Sequence, residues 1–424
     1  MDITYLTPDE NGDVEWPDFD KDKRAVVTLG AFDGMHRGHQ AVVERVVELA
    51  HKHDAFSIVI LFDPRPAFVH GWAAAHDGEE PGEGVIDANA LSGVDDRLAA
   101  MKAAGVEHVL VVRYTLAFAS KSYIFFLGRL VGKLGMRTLV LGSDAAMGAG
   151  RKGDVKAIAN LAAGAGVFEL DVVDDRGPGE VRIPRDWKPQ MPAEWGEPAD
   201  PFANATKAER RAWSKKHQAK AMRAWSSTNV RYLLAHGRIQ DANAILGEPH
   251  AIEGVVVHGE ERGRTIGFPT ANLGTDIEGY IPVDGVYAGW LVDLGATPDQ
   301  GTEAEAEQPA QVGPGESTQP EAAQAQSDTE VVSGAVPGAG MQDQPRRWPA
   351  AISIGTKPTF SEKTGLHERV VESYCITNDW IDLYGHKVRV EFAGFLRPQV
   401  KFDGPDALVD ELKRNVEETK RLTA

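Results

Sequence analysis

The chain is predicted to form two folded units of different class. The first is an α/β unit built on a parallel, doubly wound sheet; the second is a small antiparallel β-barrel closed by a C-terminal helix. Three observations carry this. At 424 residues and 42% hydrophobic content, the chain is too long for one core and apolar enough for two or three. Between residues 25 and 141, strand-length apolar runs alternate with segments of helical periodicity, the pattern of βαβ units. From Gly254 onward, short strands recur with turns between them, the pattern of a barrel.

The first unit opens on Val26–Leu29, an apolar run of strand length. The glycines at 30, 34 and 38 and a helix from about His39 follow, with Val42, Val43, Val46, Val47 and Leu49 on one side. Ser57–Phe62 reads as a second buried strand ending in Asp63-Pro64-Arg65-Pro66, and 71–90 reads as loop. Residues 94–104 and 123–134 have helical periodicity, and 109–112 and 138–141 are strand-like. In a doubly wound sheet the ligand crevice lies at the carboxyl ends of the strands, where Gly30–His39, Asp63–Pro66 and Gly142–Gly150 all fall.

Residues 177–206 are rich in Pro, Trp and acids and predict no regular element. Residues 207–225 predict a basic helix carrying Lys207, Arg210, Arg211, Lys215, Lys216, Lys220 and Arg223, read as a solvated face. The run Ser226-Ser227-Thr228-Asn229-Val230-Arg231 starts another helix, and its hydroxyls suit N-caps. Barrel strands are predicted at 254–258, 285–293, 350–354, 370–376 and 387–392. The closing helix, 406–422, has Leu408, Val409, Leu412 and Val416 on its apolar face. Residues 296–344 hold nine acidic residues and no Lys or Arg, with abundant Ala, Gln, Pro and Gly, and read as a disordered loop inserted at a hairpin.

The formal charge is −18, half of it in that acidic segment. This argues against a nucleic-acid partner. A single cysteine, Cys375, allows no internal disulfide and reads as a small core residue in a reducing compartment. No stretch approaches about 18 uncharged apolar residues, so no membrane partner and a cytoplasmic location are expected.

Two stretches carry chemistry. In Gly30-Ala31-Phe32-Asp33-Gly34-Met35-His36-Arg37-Gly38-His39, glycines let the backbone approach a ligand, the following helix N-terminus favours polyphosphate, and His36 and His39 can face one pocket. By itself the pair also fits two surface histidines at a turn. In Gly259–Asn272, Gly263 and Gly267 bracket Arg264 in a turn suited to a flap over phosphates, followed by Pro269. Thr270 and Asn272 then supply neutral oxygens that suit Mg²⁺ held jointly with nucleotide phosphates. On spacing alone this stretch fits equally a turn and a strand start. No Walker A sequence or kinase H-R-D and D-F-G set is present.

The G-x-F-D-x-x-H-x-G-H run resembles the signature of nucleotidyltransferases that expel pyrophosphate. Gly263–Asn272 (G-R-T-I-G-F-P-T-A-N), Ile354–Phe360, Glu372 in V-V-E-S-Y, Asp382–Gly385, Phe395–Arg397 and Lys401-Phe402 are together similar to riboflavin kinase. With S-S-T-x-x-R ahead of them, the chain resembles the bifunctional bacterial riboflavin kinase and FAD synthetase over residues 24–175 and 225–420. The resemblance implies a Rossmann-like nucleotidyltransferase unit followed by a Greek-key barrel. It assigns 1–176 to the FMN adenylyltransferase core, 177–224 to an insertion, 225–248 to the end of that unit and 249–424 to the kinase barrel.

By the same resemblance, ATP is the co-substrate, Mg²⁺ the cofactor, and riboflavin, FMN and FAD the other ligands of a monomer or weak homo-oligomer. His36, His39 and Arg231 are implied to act in adenylyl transfer, with Gly30, Phe32, Asp33, Gly34, Gly38, Asp144, Ser227 and Thr228 holding nucleotide. In the barrel, Glu372 is implied as general base, Thr270 and Asn272 as metal ligands, and Gly263, Arg264, Gly267 and Pro269 as the nucleotide flap. Three positions depart from the family pattern: Arg65 stands for a histidine, Gly142–Gly148 lacks two aromatics, and Asn229 stands for an arginine. A kinase with a non-catalytic first unit, and a flavin-binding regulator, remain the competing readings.

Overall fold

The computed structural model describes residues 1–20, 22–174, 177–259, 268–297, 345–356, 369–379 and 381–424. Six parallel strands form the N-terminal sheet: β1 (Asp2–Leu6), β2 (Ala25–Gly30), β3 (Phe56–Asp63), β4 (His108–Arg113), β5 (Met136–Gly142) and β8 (Glu169–Val173). Their order is β1-β4-β3-β2-β5-β8. Because side chains alternate across a strand, Ile58 and Ile60 of β3 enter one buried layer with Val27, Leu110 and Leu139. Val59 and Leu61 enter the opposite layer with Val26, Val109 and Val140.

The crossovers are helical: α1 (Arg37–His53), α2 (Pro66–Ala75), α3 (Val94–Ala103), α4 (Leu116–Ala119), α5 (Tyr123–Lys133) and α6 (Val155–Ala165). α1 begins at His36 as N-cap and ends at Asp54 in the left-handed conformation, with His51, Lys52 and His53 in the last turn. Its valines 42, 43, 46 and 47 are buried, as their spacing predicts. A short ribbon, β6 (Ala146–Met147) with β7 (Gly153–Asp154), follows β5.

Several elements go beyond the sequence reading, among them β1, α2 (which takes the first residues of the expected 71–90 loop), α4, the β6–β7 ribbon, α6 and β8. The basic helix is shorter than expected. A capping box between Thr206 and Glu209 starts α7 (Lys207–Lys216), but Gln218 turns to a φ of 47° and the chain continues as β10 (Lys220–Arg223). β10 pairs antiparallel with β9 (Glu180–Ile183), a strand inside the stretch expected to be irregular. Cross-strand pairing overrides helix propensity there.

The second unit is a closed antiparallel barrel of β11 (His250–Val257), β12 (Ala271–Leu273), β13 (Gly285–Ala296), β14 (Arg347–Thr356), β15 (Arg369–Cys375) and β16 (His386–Arg397), in the order β11-β12-β15-β14-β13-β16. Tyr287, Leu291, Ile352, Val388, Phe392 and Phe395 fill it. The closing helix α10 (Pro405–Thr423) packs on β13 and β14. Cys375 packs against this core, where burial pushes its thiol up to about 12. The acidic segment falls between the paired strands β13 and β14, and beyond Thr297 it lies outside the described residues.

Between the units, α8 (Ser227–Leu234) and α9 (Ile239–Leu246) bury Leu233, Leu234, Ile239 and Ile245 in the same cluster as the barrel core. Asn243 Nδ2 donates to Phe392 O at 2.8 Å, and Arg389 of β16 pairs with Asp96 of α3 at 2.6 Å.

Candidate active sites

The first site is built where β2 hands over to α1. Gly34 has a φ of +77°, and an added Cβ would lie 2.8 Å from Leu91 Cδ1, so this turn demands glycine. Gly30 leaves room for the Phe32 ring, and Gly38 is buried in the first turn of α1. The turn brings His36 and His39 together as predicted, their rings stacked at 3.7 Å between centroids. His39 N–H donates to His36 Nδ1 at 3.3 Å, which places the His36 proton on Nε2. Phe32 packs edge-on to His39, whose Nδ1 is buried with no hydrogen-bond partner among the described residues.

Burial holds both imidazoles below the ordinary histidine range. The neighbouring His39 ring and Arg223 add to it for His36; Arg223, Arg97 and Arg231 add to it for His39, which falls to about 3. Both rings are therefore neutral at pH 7, with Arg97, Arg223 and Arg231 close enough to lower them further.

Asp33 is buried and committed. Its carboxylate accepts from Leu91 N–H at 2.7 Å, pairs with Arg231, and lies 3.4 Å from Arg65 Nη1. Its place is to position Arg231, which also donates to Asn89 O at 3.2 Å. Ser227 Oγ donates to Asp33 O at 2.9 Å, docking the start of α8 against the β2–α1 turn, while Thr228 is exposed at the helix start. Ser226 is the N-cap, accepting from Asn229 N–H at 3.3 Å.

The three departures have structural explanations. Arg65 makes two hydrogen bonds to Asp87, at 2.7 and 2.8 Å, so it is a buried tie rather than a free cation. Asn229 donates to Ala224 O at 2.9 Å. In the Gly142–Gly148 stretch Met147 is a core residue of the β6–β7 ribbon. Asp144 pairs with Arg223 at 2.6 Å, bringing β10 up to the end of β5.

Arg223 and Arg97 are the cations that sequence reasoning missed at this site. Arg223 was hidden in a basic run read as a solvated helix face. Arg97, buried on α3, donates to Ala31 O at 3.0 Å and to Asp63 at 2.6 Å. A cavity of about 490 Å³ lies along the carboxyl ends of β1, β3 and β4, lined in part by Asp63, Pro64, Arg65, Phe68 and Arg97.

The second site is on one face of the barrel. Asn272 of β12 is directly opposite Glu372 of β15, which is opposite Ser353 of β14 on its other side, so the three side chains share a face. Thr270 lies just before β12, and Asn272 Nδ2 donates to its backbone O at 3.3 Å. Gly259 passes so close that an added Cβ would meet Asn272 Nδ2 at 2.4 Å. Pro269 is exposed beside them. Gly263, Arg264 and Gly267 lie outside the described residues, as does Lys357–Phe360. The described residues hold no cluster of three or more His, Cys, Asp or Glu that could hold a metal ion.

With both sites in place, the chain can be set beside known proteins. The family profile described as FAD synthetase matches residues 18–186, and the one described as riboflavin kinase matches residues 246–423. The bifunctional riboflavin kinase/FMN adenylyltransferase of Escherichia coli K12 is 32% identical over 276 residues, covering 64% of this chain and 70% of that protein. The chain belongs to the bifunctional riboflavin kinase/FMN adenylyltransferase family.

Family members of the same description from Listeria monocytogenes and Bacillus subtilis are 26% and 25% identical, covering 97% and 94% of this chain and 95% and 92% of theirs. A crystal structure titled as a macrolide-efflux protein of Streptococcus pneumoniae superposes with a TM-score of 0.62 at 22% identity, covering 98% of both chains; that likeness is one of fold. Among the described residues no helix is long and apolar enough to cross a membrane.

Proposed function

We propose that His36, His39, Arg231 and the start of α8 form the adenylyl-transfer site of this chain, and that Glu372, Thr270 and Asn272 form its phosphoryl-transfer site. The chain is a bifunctional enzyme of flavin cofactor synthesis: it phosphorylates riboflavin with ATP to give FMN, and adenylylates FMN with ATP to give FAD and pyrophosphate. The observation that carries the first assignment is the stacked, neutral histidine pair at the N-terminus of α1, facing an arginine oriented by a buried carboxylate.

Such a site needs no protein nucleophile. The FMN phosphate attacks the α-phosphorus of ATP, the bond to the β-phosphate oxygen breaks, and pyrophosphate leaves. Imidazole N–H groups and guanidinium are fixed donors for the charge that builds on the phosphate oxygens. The cavity beside Asp63, Arg65 and Arg97 is the candidate berth for the flavin.

In the barrel, the Glu372 carboxylate takes the proton of the ribityl hydroxyl as it attacks the γ-phosphorus, the bond from that phosphorus to the β-phosphate oxygen breaks, and ADP leaves. The hydroxyl of Thr270 and the amide oxygen of Asn272 are hard neutral donors close together in the chain, a fit for Mg²⁺ shared with ATP phosphates. When bound, the ion supplies charge neutralisation on those phosphates. Its partners in this reading are the small-molecule substrates riboflavin, FMN and ATP, and its location the cytoplasm.

The test is direct: the purified chain is incubated with riboflavin, ATP and Mg²⁺ and the flavins are separated. FMN followed by FAD is expected; FMN alone would show that the first site does not turn over.

A further inference from the structure

A second cavity lies apart from both transfer sites. It has a volume of about 710 Å³ and is bounded by β9, the chain leading into α7, α7 itself and the outer faces of α8 and α9. None of His36, His39, Asp33, Ser227, Thr228 or Arg231 lines it. Its outer wall comes from residues 182–214, most of which fall outside both family profiles, so it is a construction of this chain's insertion.

The walls are aromatic. Phe202 and Trp213 stand edge to face at 4.6 Å, and Trp225 and Tyr232 complete the lining, each of the four only half-buried. Flat rings with free area around a volume of this size suit a planar ligand. The charges are unequal. Asp200 and Asp241 are taken by Arg238, and Glu180 remains. Among the described residues, Arg37 and Arg210 donate only to carbonyls, of Ala244 in one case and of Ala205 and Phe202 in the other. Arg182 is exposed and has no carboxylate partner among the described residues.

Guanidinium groups without carboxylate partners beside aromatic walls are the chemistry that receives a phosphate attached to a ring. We propose that this cavity is a separate binding site for a planar heteroaromatic compound bearing a phosphate, with the ring among Phe202, Trp213 and Tyr232 and the phosphate on Arg182 and Arg37. α8 is shared: Ser227 and Arg231 face Asp33 on one side, while Asn229, Tyr232 and Leu233 face the cavity on the other. A ligand here therefore presses on the helix that presents the adenylyl-transfer arginine.

The experiment uses the full chain labelled with 5-fluorotryptophan and followed by ¹⁹F NMR, with the Trp213 resonance assigned from Trp213→Phe. AMP and FMN are titrated separately, which distinguishes an adenine nucleotide from a flavin phosphate as the ligand. The expected result is a saturable shift of the Trp213 resonance with one of them. Arg182→Glu, a change at an exposed strand position, should weaken that binding about tenfold or more. FAD formation by the same variant at low flavin should stay within about twofold of the unaltered chain, since Arg182 touches no reacting group. The proposal is overturned if neither compound shifts Trp213 at millimolar concentration, or if the shift persists with equal affinity in Arg182→Glu. The two binding readouts, the Trp213 shift and its weakening in Arg182→Glu, do not depend on FAD formation, so failure here and failure of the adenylyl-transfer assignment are separable.

Discussion

Asp33→Asn is the sharpest probe of the first site, because it keeps shape and removes one charge from a buried network. In the native chain the Asp33 side chain, 5% exposed, sits between Arg231, 16% exposed, and Arg65, 7% exposed. Losing one partner of a buried ion pair costs about 3–5 kcal/mol when the other charge is left bare. Two features reduce the cost here. Arg65 keeps its two hydrogen bonds to Asp87, and an asparagine oxygen still accepts from Leu91 N–H. Arg231 keeps only the Asn89 carbonyl. The net cost is then about 2 kcal/mol, which lowers the melting temperature of the α/β unit by several degrees. FAD formation from FMN and ATP should fall about 10²-fold, because an arginine free to swing no longer meets the phosphates. Riboflavin phosphorylation should be unchanged. The assay is separation of flavins from both starting substrates, with a melting curve in parallel. A variant that makes FAD at the native rate would refute the claim that Asp33 positions Arg231, and an equal loss of both activities would point to global unfolding.

Three further outcomes follow from the same geometry. His36→Ala with His39→Ala should reduce FAD formation by about 10² or more and leave FMN formation intact; near-native FAD synthesis would remove the pair from the mechanism. Glu372→Gln should slow riboflavin phosphorylation about 10²-fold while added FMN is still converted to FAD, and a fall in ATP affinity instead would move Glu372 to the metal site. Glu197, pushed up to about 7 by burial against an ordinary 4.5, holds its proton longer in the folded chain than in the unfolded one. Its contribution is therefore full below pH 4.5 and lost as pH rises through 7, so the unaltered chain should lose about 2 kcal/mol relative to Glu197→Gln between pH 5 and 8; parallel stability curves would contradict this.

Local chemistry made much of this readable in the sequence. The β2 run, its glycines and the α1 valines declare a buried strand, a tight turn and a helix face within 24 residues, and the structure brings them together with the two histidines stacked. Thr270, Asn272 and Glu372 were readable only through family resemblance, because nothing in their spacing says that β12 will lie beside β15. What was not legible is long-range. The committed pairs of Asp33 with Arg65 and Arg231 join residues 32 and 198 positions apart. Arg223 was misread because α7 has no apolar stripe to mark its end; the break comes from Gln218 and the pairing of β10 with β9, a tertiary event.

The segment between the two family-matched stretches also ties the two folded units together. Residues 187–200 run as a strap from the first unit to the barrel: Gln190 N–H donates to Ala235 O at 2.9 Å behind α8, and Gly196 N–H to Leu396 O at 2.7 Å on β16. Trp195 packs on the outer barrel cluster and under Arg414 of α10 at 3.8 Å. Glu197 accepts from Gln240 N–H at 2.6 Å, at the start of α9, and from Phe395 N–H at 3.4 Å, in the barrel. A single half-buried glutamate thus satisfies amides from both units, at a position where neither a helix start nor an irregular strand could satisfy its own. No strap residue belongs to either set of transfer groups. Weakening it should therefore loosen the frame and lower stability with pH as Glu197 ionises, while each transfer, tested with its own substrate, keeps its chemistry.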